Sequence, residues 1–135
     1  MFILDCSATM AWCFEDEASQ YADAVLDCLQ SQTAIVPRLW HIEILNVLLV
    51  GERRHRIDKE DSREFLEVLQ ALDIQTDATS IFLNDPNVIH LGRKHQLSAY
   101  DAVYLELAIR ERLQIATQDK KLRNVVDSVD LFFQP

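Results

Sequence analysis

The chain opens on three large apolar residues, Phe2-Ile3-Leu4, that run into the carboxylate of Asp5. A short apolar run closed by a polar residue predicts a buried strand. Ser7 to Phe14 is predicted as a short helix, and Glu15-Asp16-Glu17 leads into a second. From Glu17 to about Gln30, Tyr21, Val25, Cys28 and Leu29 recur at helical spacing and mark one apolar face. Thr33-Ala34-Ile35-Val36 is apolar and β-branched, and Pro37 stops it because the residue before a proline avoids the α region. That segment is a second expected strand.

Pro37 also suits the first turn of a helix, predicted over Leu39 to Arg53. This segment is apolar nearly all round, which predicts burial on more than one side. Asp58 is placed to cap the next helix, with Phe65, Leu66, Leu69 and Leu72 as its inward stripe. Ile74-Gln75-Thr76 suits a short strand. Asp85-Pro86 combines a cap with a proline at the first helical position, starting a helix to about His95. A mostly apolar helix over Ser98 to Ile109 follows. Then come a strand over Leu113 to Thr117, a short helix over Asp119 to Val126 and a last strand over Val129 to Phe133. Strands separated by helices predict an α/β layer protein with a mainly parallel sheet.

Length and composition narrow this. One domain spanning residues 1–135 is expected, with 49% hydrophobic and 26% charged residues in the usual globular range. No apolar run approaches a membrane span, and the N-terminus has neither a basic region nor an apolar signal segment, so a cytoplasmic location is expected. Cys6, Cys13 and Cys28 include no C-x-x-C pair and predict free, buried thiols rather than a disulfide framework or a zinc knuckle. The net charge of −9 argues against nucleic-acid binding by bulk charge, though not against a local basic rim.

Two glycines, Gly51 and Gly92, leave no room for a P-loop or a dinucleotide fingerprint. His41, His55, His90 and His95 show no zinc spacing, and no G-x-S-x-G elbow occurs. A phosphoaspartate enzyme would want a second acid two residues after Asp5, where Ser7 stands. What remains is carboxylates, of which there are 22.

Four of them stand out, each with a plain alternative. Asp5 ends a strand, where an acid also serves as a turn or cap residue. Glu43 lies in the helix that is apolar all round, where an unpaired acid is costly to bury unless it faces a solvent gap beside Asn46. Asp101 sits in Ser98-Ala99-Tyr100-Asp101, a capping box with Asp in place of Glu, yet it opens a buried helix. Asp119 follows a strand and suits a helix N-cap. In a parallel sheet Asp5 and Asp119 emerge on one edge. Glu43 and Asp101 belong to the two most apolar helices, which must pack on that sheet. Converging carboxylates raise one another's pKa values, and a hard divalent ion with oxygen ligands resolves the repulsion. Such a centre suits phosphodiester hydrolysis.

With these residues in place, the chain resembles the PIN domain and, within it, the VapC-type toxins of type II toxin–antitoxin pairs. The matching stretches are Leu4-Asp5-Cys6-Ser7, Pro37-Arg38-Leu39-Trp40-His41-Ile42-Glu43-Ile44-Leu45-Asn46, Leu97-Ser98-Ala99-Tyr100-Asp101-Ala102 and Ala116-Thr117-Gln118-Asp119-Lys120-Lys121-Leu122. The resemblance implies a three-layer α/β/α sandwich with a mainly parallel central sheet. It also implies endoribonuclease activity on RNA, a homodimer and a VapB-like antitoxin. Asp5, Glu43, Asp101 and Asp119 would be the catalytic, metal-binding quartet for Mg²⁺ or Mn²⁺, with Asp5 and Asp101 holding the principal ion. Ser7 and Thr117 match supporting hydroxyls. Lys120, Lys121 and Arg123 are expected RNA contacts. Arg53-Arg54-His55-Arg56 and Arg93-Lys94-His95 are better explained as favourable charge at helix C-termini. Gln96 departs from the family pattern, which has glycine there. Alternatives to the toxin are a PIN nuclease of RNA maturation without an antitoxin, and an inactive PIN fold used as an interaction module.

Overall fold

A computed structural model describes residues 1–79, 83 and 85–135. Four parallel strands form one sheet in the order β3-β2-β1-β4: β1 is Phe2–Leu4, β2 Ala34–Val36, β3 Ile74–Thr76 and β4 Ile115–Ala116. The helices that join and flank them are α1 (Cys6–Met10), α2 (Gln20–Cys28), α3 (Arg38–Arg53), α4 (Lys59–Ala71), α5 (Pro86–His95), α6 (Ala99–Glu111) and α7 (Lys120–Ser128). The expected α/β architecture with a parallel sheet is therefore present. β1 is central, and its three residues are fully buried. That is why this strand lacks any polar alternation.

Register sets the position of the first acid. Ile3 pairs with Ile115 and Leu4 with Ala116, so the chains leaving β1 and β4 emerge side by side at one sheet edge. The N–H of Asp5 donates to the Ala116 carbonyl at 3.0 Å and holds the two exits together.

Three expectations need correction. The predicted first helix over Ser7 to Phe14 is shorter, Cys6–Met10, and the acids Glu15–Glu17 form a separate 3₁₀ turn before α2. The last strand over Val129 to Phe133 is reduced to a single parallel bridge between Phe132 and Ile115. Asp130 takes a left-handed backbone (φ 57°) just before it, and Pro135, lacking an N–H, cannot extend a ladder. The segment is instead held by Phe133 stacked on Phe2, with ring centroids 4.3 Å apart, and by the Tyr21 hydroxyl donating to the Phe133 carbonyl at 2.9 Å. Third, α3 is not buried on more than one side. Trp40, Ile44 and Leu48 enter the core, while Ile42, Leu45 and Leu49 are exposed. Its composition signals two apolar surfaces, only one of which the chain itself covers.

The α4 stripe behaves as expected, with Leu69 buried and Phe65, Leu66 and Leu72 packed against the core. Asp58 caps α4 through the Asp61 N–H, and Asp85 caps α5 with Pro86 in its first turn.

Candidate active site

Asp5 is 4% exposed and caps α1. Its Oδ2 receives three hydrogen bonds: from the Ser7 N–H at 3.3 Å, the Ser7 hydroxyl at 2.5 Å and the Thr117 hydroxyl at 2.8 Å. No hydrogen bond from the described residues reaches Oδ1. Oδ2 is thus fixed by the protein. Burial raises the Asp5 pKa, and the Ser7 and Thr117 hydroxyls oppose that rise.

Ser7 and Thr117 join the two strand ends. The Ser7 hydroxyl accepts from the backbone N–H groups of Gln118 (2.8 Å) and Asp119 (3.1 Å), and the Thr117 hydroxyl accepts from Asp119 as well (3.1 Å). Beneath them, the Thr9 hydroxyl donates to the Asp5 carbonyl at 3.1 Å and accepts the Trp40 indole N–H at 3.1 Å. The start of α3 is tied to the same point. Thr9 and Trp40 were not singled out in the sequence, because a buried hydroxyl and an indole carry no spacing signal.

Glu43 projects from α3, half-buried, and its Oε1 accepts the Tyr104 hydroxyl at 2.7 Å. Burial raises the Glu43 pKa to about 7; the Tyr104 bond lowers it, and the charges of Asp5 and Asp101 push it up. Tyr104 is fully buried, and burial followed by the charges of Asp5 and Glu43 holds its hydroxyl protonated. This tyrosine was also missed. The available signal was its place three residues after Asp101, on the same face of α6.

Asp101 is half-buried, with its pKa raised to about 6 by burial, then by Asp119 and Asp5; Lys121 opposes the rise. The expected capping box is half-formed: the Asp101 N–H donates to the Ser98 hydroxyl at 3.2 Å, while no backbone N–H of the described residues donates to the Asp101 carboxylate. Asp119 is exposed and caps α7, its Oδ1 accepting the Leu122 N–H at 2.8 Å.

The four acids thus lie around the carboxyl ends of β1 and β4, near enough for Asp5 to raise both Glu43 and Asp101 and for Asp119 to raise Asp101. None of the four forms an ion pair with the described residues, whereas Asp16, Asp77 and Glu106 each pair with an arginine. Uncompensated, mutually repelling oxygen donors suit a hard divalent cation. They are not closed into a cage: among the described residues no three His, Cys, Asp or Glu side chains form a ready-made metal site.

The expected basic contacts divide. Lys120 and Lys121 are exposed in the first turn of α7 beside Asp119. Arg123 lies over the Phe132 ring, 4.2 Å from its centroid, with Asp127 at 3.7 Å. Arg56 stacks on Phe14 and pairs with Asp16 and Glu17. The three cysteines are free; Cys6 is buried and Cys13 and Cys28 half-buried.

A parallel sheet with acids at the carboxyl ends of its strands, and more acids on the helices packed there, defines an α/β protein of the acidic-site nuclease kind. The PIN domain family matches residues 2–127, and the chain belongs to that family. PIN domains are generally nucleases, and PIN nucleases generally use divalent metals. Among solved structures, the chain is similar to PAE2754 from Pyrobaculum aerophilum. The two share 22% identity and a TM-score of 0.68, covering 90% of this chain and 81% of that one, a likeness of fold. Comparison with curated protein sequences finds no significant match. Among the described residues, no helix is long and apolar enough to cross a membrane.

Proposed function

We propose that this PIN domain is a metal-dependent endoribonuclease of the VapC type, the toxin of a toxin–antitoxin pair. The observation that carries the enzymatic part is the set of four acids around one strand edge with no ion pair among the described residues, the two half-buried ones raised by burial and then by their neighbours. A protein used only for binding gains nothing from keeping four such carboxylates together without a cation. This speaks against an inactive interaction module.

Asp5 and Asp101 would hold Mg²⁺ or Mn²⁺, with Glu43 and Asp119 completing the ligand set directly or through water. The bound ion would lower the pKa of its water and neutralise charge on the phosphodiester. Ser7 and Thr117 orient Asp5 by fixing Oδ2, which would leave Oδ1 to hold the ion. Tyr104 aims Glu43 and favours its ionised form. Lys120 and Lys121 are proposed to contact the RNA backbone, and Arg123 to frame that surface from its place on Phe132.

The cognate antitoxin is proposed to lay an amphipathic helix into an open groove of about 810 Å³, its apolar face on Trp12, Phe14, Phe65 and Val68 and its basic edge along the acids Glu15, Asp16, Asp61 and Glu64. A homodimer is proposed through the exposed Ile89 of α5 and Ile109 of α6. The primary test is RNA cleavage by purified protein in Mn²⁺, in EDTA and with Asp101→Asn. Cleavage is expected only in the first case. Full activity in EDTA, or an undiminished Asn variant, would refute the mechanism. A small antitoxin reading frame beside the gene separates the toxin from an RNA-maturation nuclease.

A further inference from the structure

A second feature extends outward from the acids. A cavity of about 590 Å³ is lined by Leu39, Ile42 and Val47 of α3, by Asn46, and by Tyr100 in the first turn of α6. It also touches Glu43 and Cys6, so it begins at the acid centre. Ile42 is 68% exposed and Tyr100 65% exposed. The contrast within α6 is informative. Tyr104 is fully buried and bonded to Glu43, whereas Tyr100 makes no hydrogen bond and stacks on no ring among the described residues. An aromatic ring left free one residue before Asp101 has no part in holding the fold.

We propose that this cavity is a nucleobase subsite, in which one RNA base next to the cleaved bond stacks on Tyr100 and presents its polar edge to Asn46. The inference rests on the nuclease reading of the acid centre and names how its substrate is held. The occupant follows from charge and chemistry. With a net charge of −9, phosphate affinity is confined to local contacts such as those proposed for Lys120 and Lys121, since Arg123 is already engaged by Phe132 and Asp127. Stacking, which any base offers, adds to those few contacts and is worth about 5- to 100-fold in binding per base. The walls are apolar, as a base face requires, and a carboxamide supplies both a donor and an acceptor for a base edge. The volume lies in the range that holds a small planar ligand.

The test uses a short fluorescent RNA carrying a single abasic site moved along its length. Binding is read by anisotropy with Ca²⁺ replacing Mn²⁺, for the wild-type chain, Tyr100→Phe, Tyr100→Ala and Asn46→Ala. The wild type is expected to lose about 5- to 100-fold in affinity at one abasic position beside the cleavage site. Tyr100→Phe keeps that response. Tyr100→Ala loses a similar factor on intact RNA and no longer senses the missing base, and Asn46→Ala changes which base is preferred at that position. A wild type indifferent to every abasic position, or a Tyr100→Ala protein that binds and discriminates as wild type does, overturns the subsite. So does a Tyr100→Ala protein whose only change is a shift in sedimentation, which would assign this face to a second copy of the chain. Cleavage in Mn²⁺ is scored separately. Base-dependent binding without cleavage removes the nuclease reading and leaves the subsite, and cleavage without a Tyr100 effect does the reverse.

Discussion

The Tyr104 hydroxyl donates to Glu43 Oε1 at 2.7 Å, joining the two most apolar helices, α3 and α6, by a polar contact at the acid centre. It is a neutral donor serving an acid whose pKa is already pushed up to about 7. Tyr104 therefore favours the ionised form of Glu43, against the burial and the charges of Asp5 and Asp101 that raise its pKa.

Tyr104→Phe removes that donor and keeps the ring in its buried place. The bond lowers the Glu43 pKa, so its loss raises it further, and less Glu43 is ionised at neutral pH. Cleavage near pH 7 is expected to fall by roughly 10-fold, the scale typical of a residue supporting a metal ligand. The acidic limb of the pH–rate profile should move to higher pH, with activity recovering in alkaline buffer. A uniform loss at every pH would mean that Tyr104 matters for packing alone.

The raised carboxylates also give stability a sign with pH. Glu43, at about 7, and Asp101, at about 6, still bind protons in the folded chain where ordinary values of 4.5 and 3.8 have left the unfolded chain ionised. The folded state then holds more protons, so stability falls as pH rises through that window and is greatest at its acidic end. Without metal, urea unfolding should show a more stable protein near about pH 5 than near about pH 8. Added Mn²⁺ binds the ionised form and should stabilise more at the higher pH, shrinking or reversing the difference. A metal-free stability that climbs steadily across the window would contradict the geometry of repelling acids.

Much of this site was legible in the sequence, for identifiable reasons. Asp5 and Asp119 each follow an apolar run, and parallel pairing puts both on one edge. Glu43 was conspicuous because an acid in an apolar helix needs an explanation. Tyr104 was hidden by the same logic: among Ala102, Val103 and Leu105 it counts as one more core residue, and only the packing of α6 on α3 turns its hydroxyl toward Glu43. The exposed stripe of α3 was misjudged because composition reports how apolar a face is, not what covers it. The C-terminal strand failed for a local reason, the left-handed turn at Asp130.

Thr117→Val tests the link between the two strand ends. Thr117 is fully buried, so the near-isosteric valine leaves Asp5 Oδ2 short of one donor and the Asp119 N–H short of one acceptor. Leaving such groups unmet costs about 1–3 kcal/mol. Thermal or urea unfolding should register that loss, and Thr117→Ser, which keeps the hydroxyl, should recover most of it. Cleavage should fall with valine beyond the loss of folded protein, because Asp5 is then held by Ser7 alone. Equal activity per folded molecule in the two variants would reduce Thr117 to a structural residue.

Gln96 ends α5 in the left-handed region, φ 54° and ψ 41°, with its N–H donating to the Gly92 carbonyl. A residue with a Cβ is strained there and glycine is not. Gln96→Gly should stabilise the protein by a few tenths to about 1 kcal/mol, the relief of strain being partly offset by a freer unfolded chain. Activity should be unchanged, since Gln96 is exposed and touches none of the acids. A destabilised glycine variant would mean that the Gln96 side chain makes a contact worth more than the strain.

Asp101→Asn separates the two roles its position allows. The cap of α6 runs from the Asp101 backbone N–H to the Ser98 hydroxyl, and asparagine keeps that bond. The carboxylate itself is raised to about 6 by burial and then by the charges of Asp119 and Asp5, against which Lys121 and the Ser98 hydroxyl offer smaller relief. Neutralising it should leave the metal-free protein as stable as wild type or more so at neutral pH, while Mn²⁺-dependent cleavage drops by at least about 100-fold. The stabilisation that Mn²⁺ gives to the wild type should shrink in the same variant, which a thermal shift with and without metal reads directly. A large fall in metal-free stability would restore Asp101 to the capping box, and it would then have to act through its side chain rather than its N–H. Ser98→Ala is the matching control. It should lower stability by about 1 kcal/mol through the lost cap while leaving the response to Mn²⁺ in place.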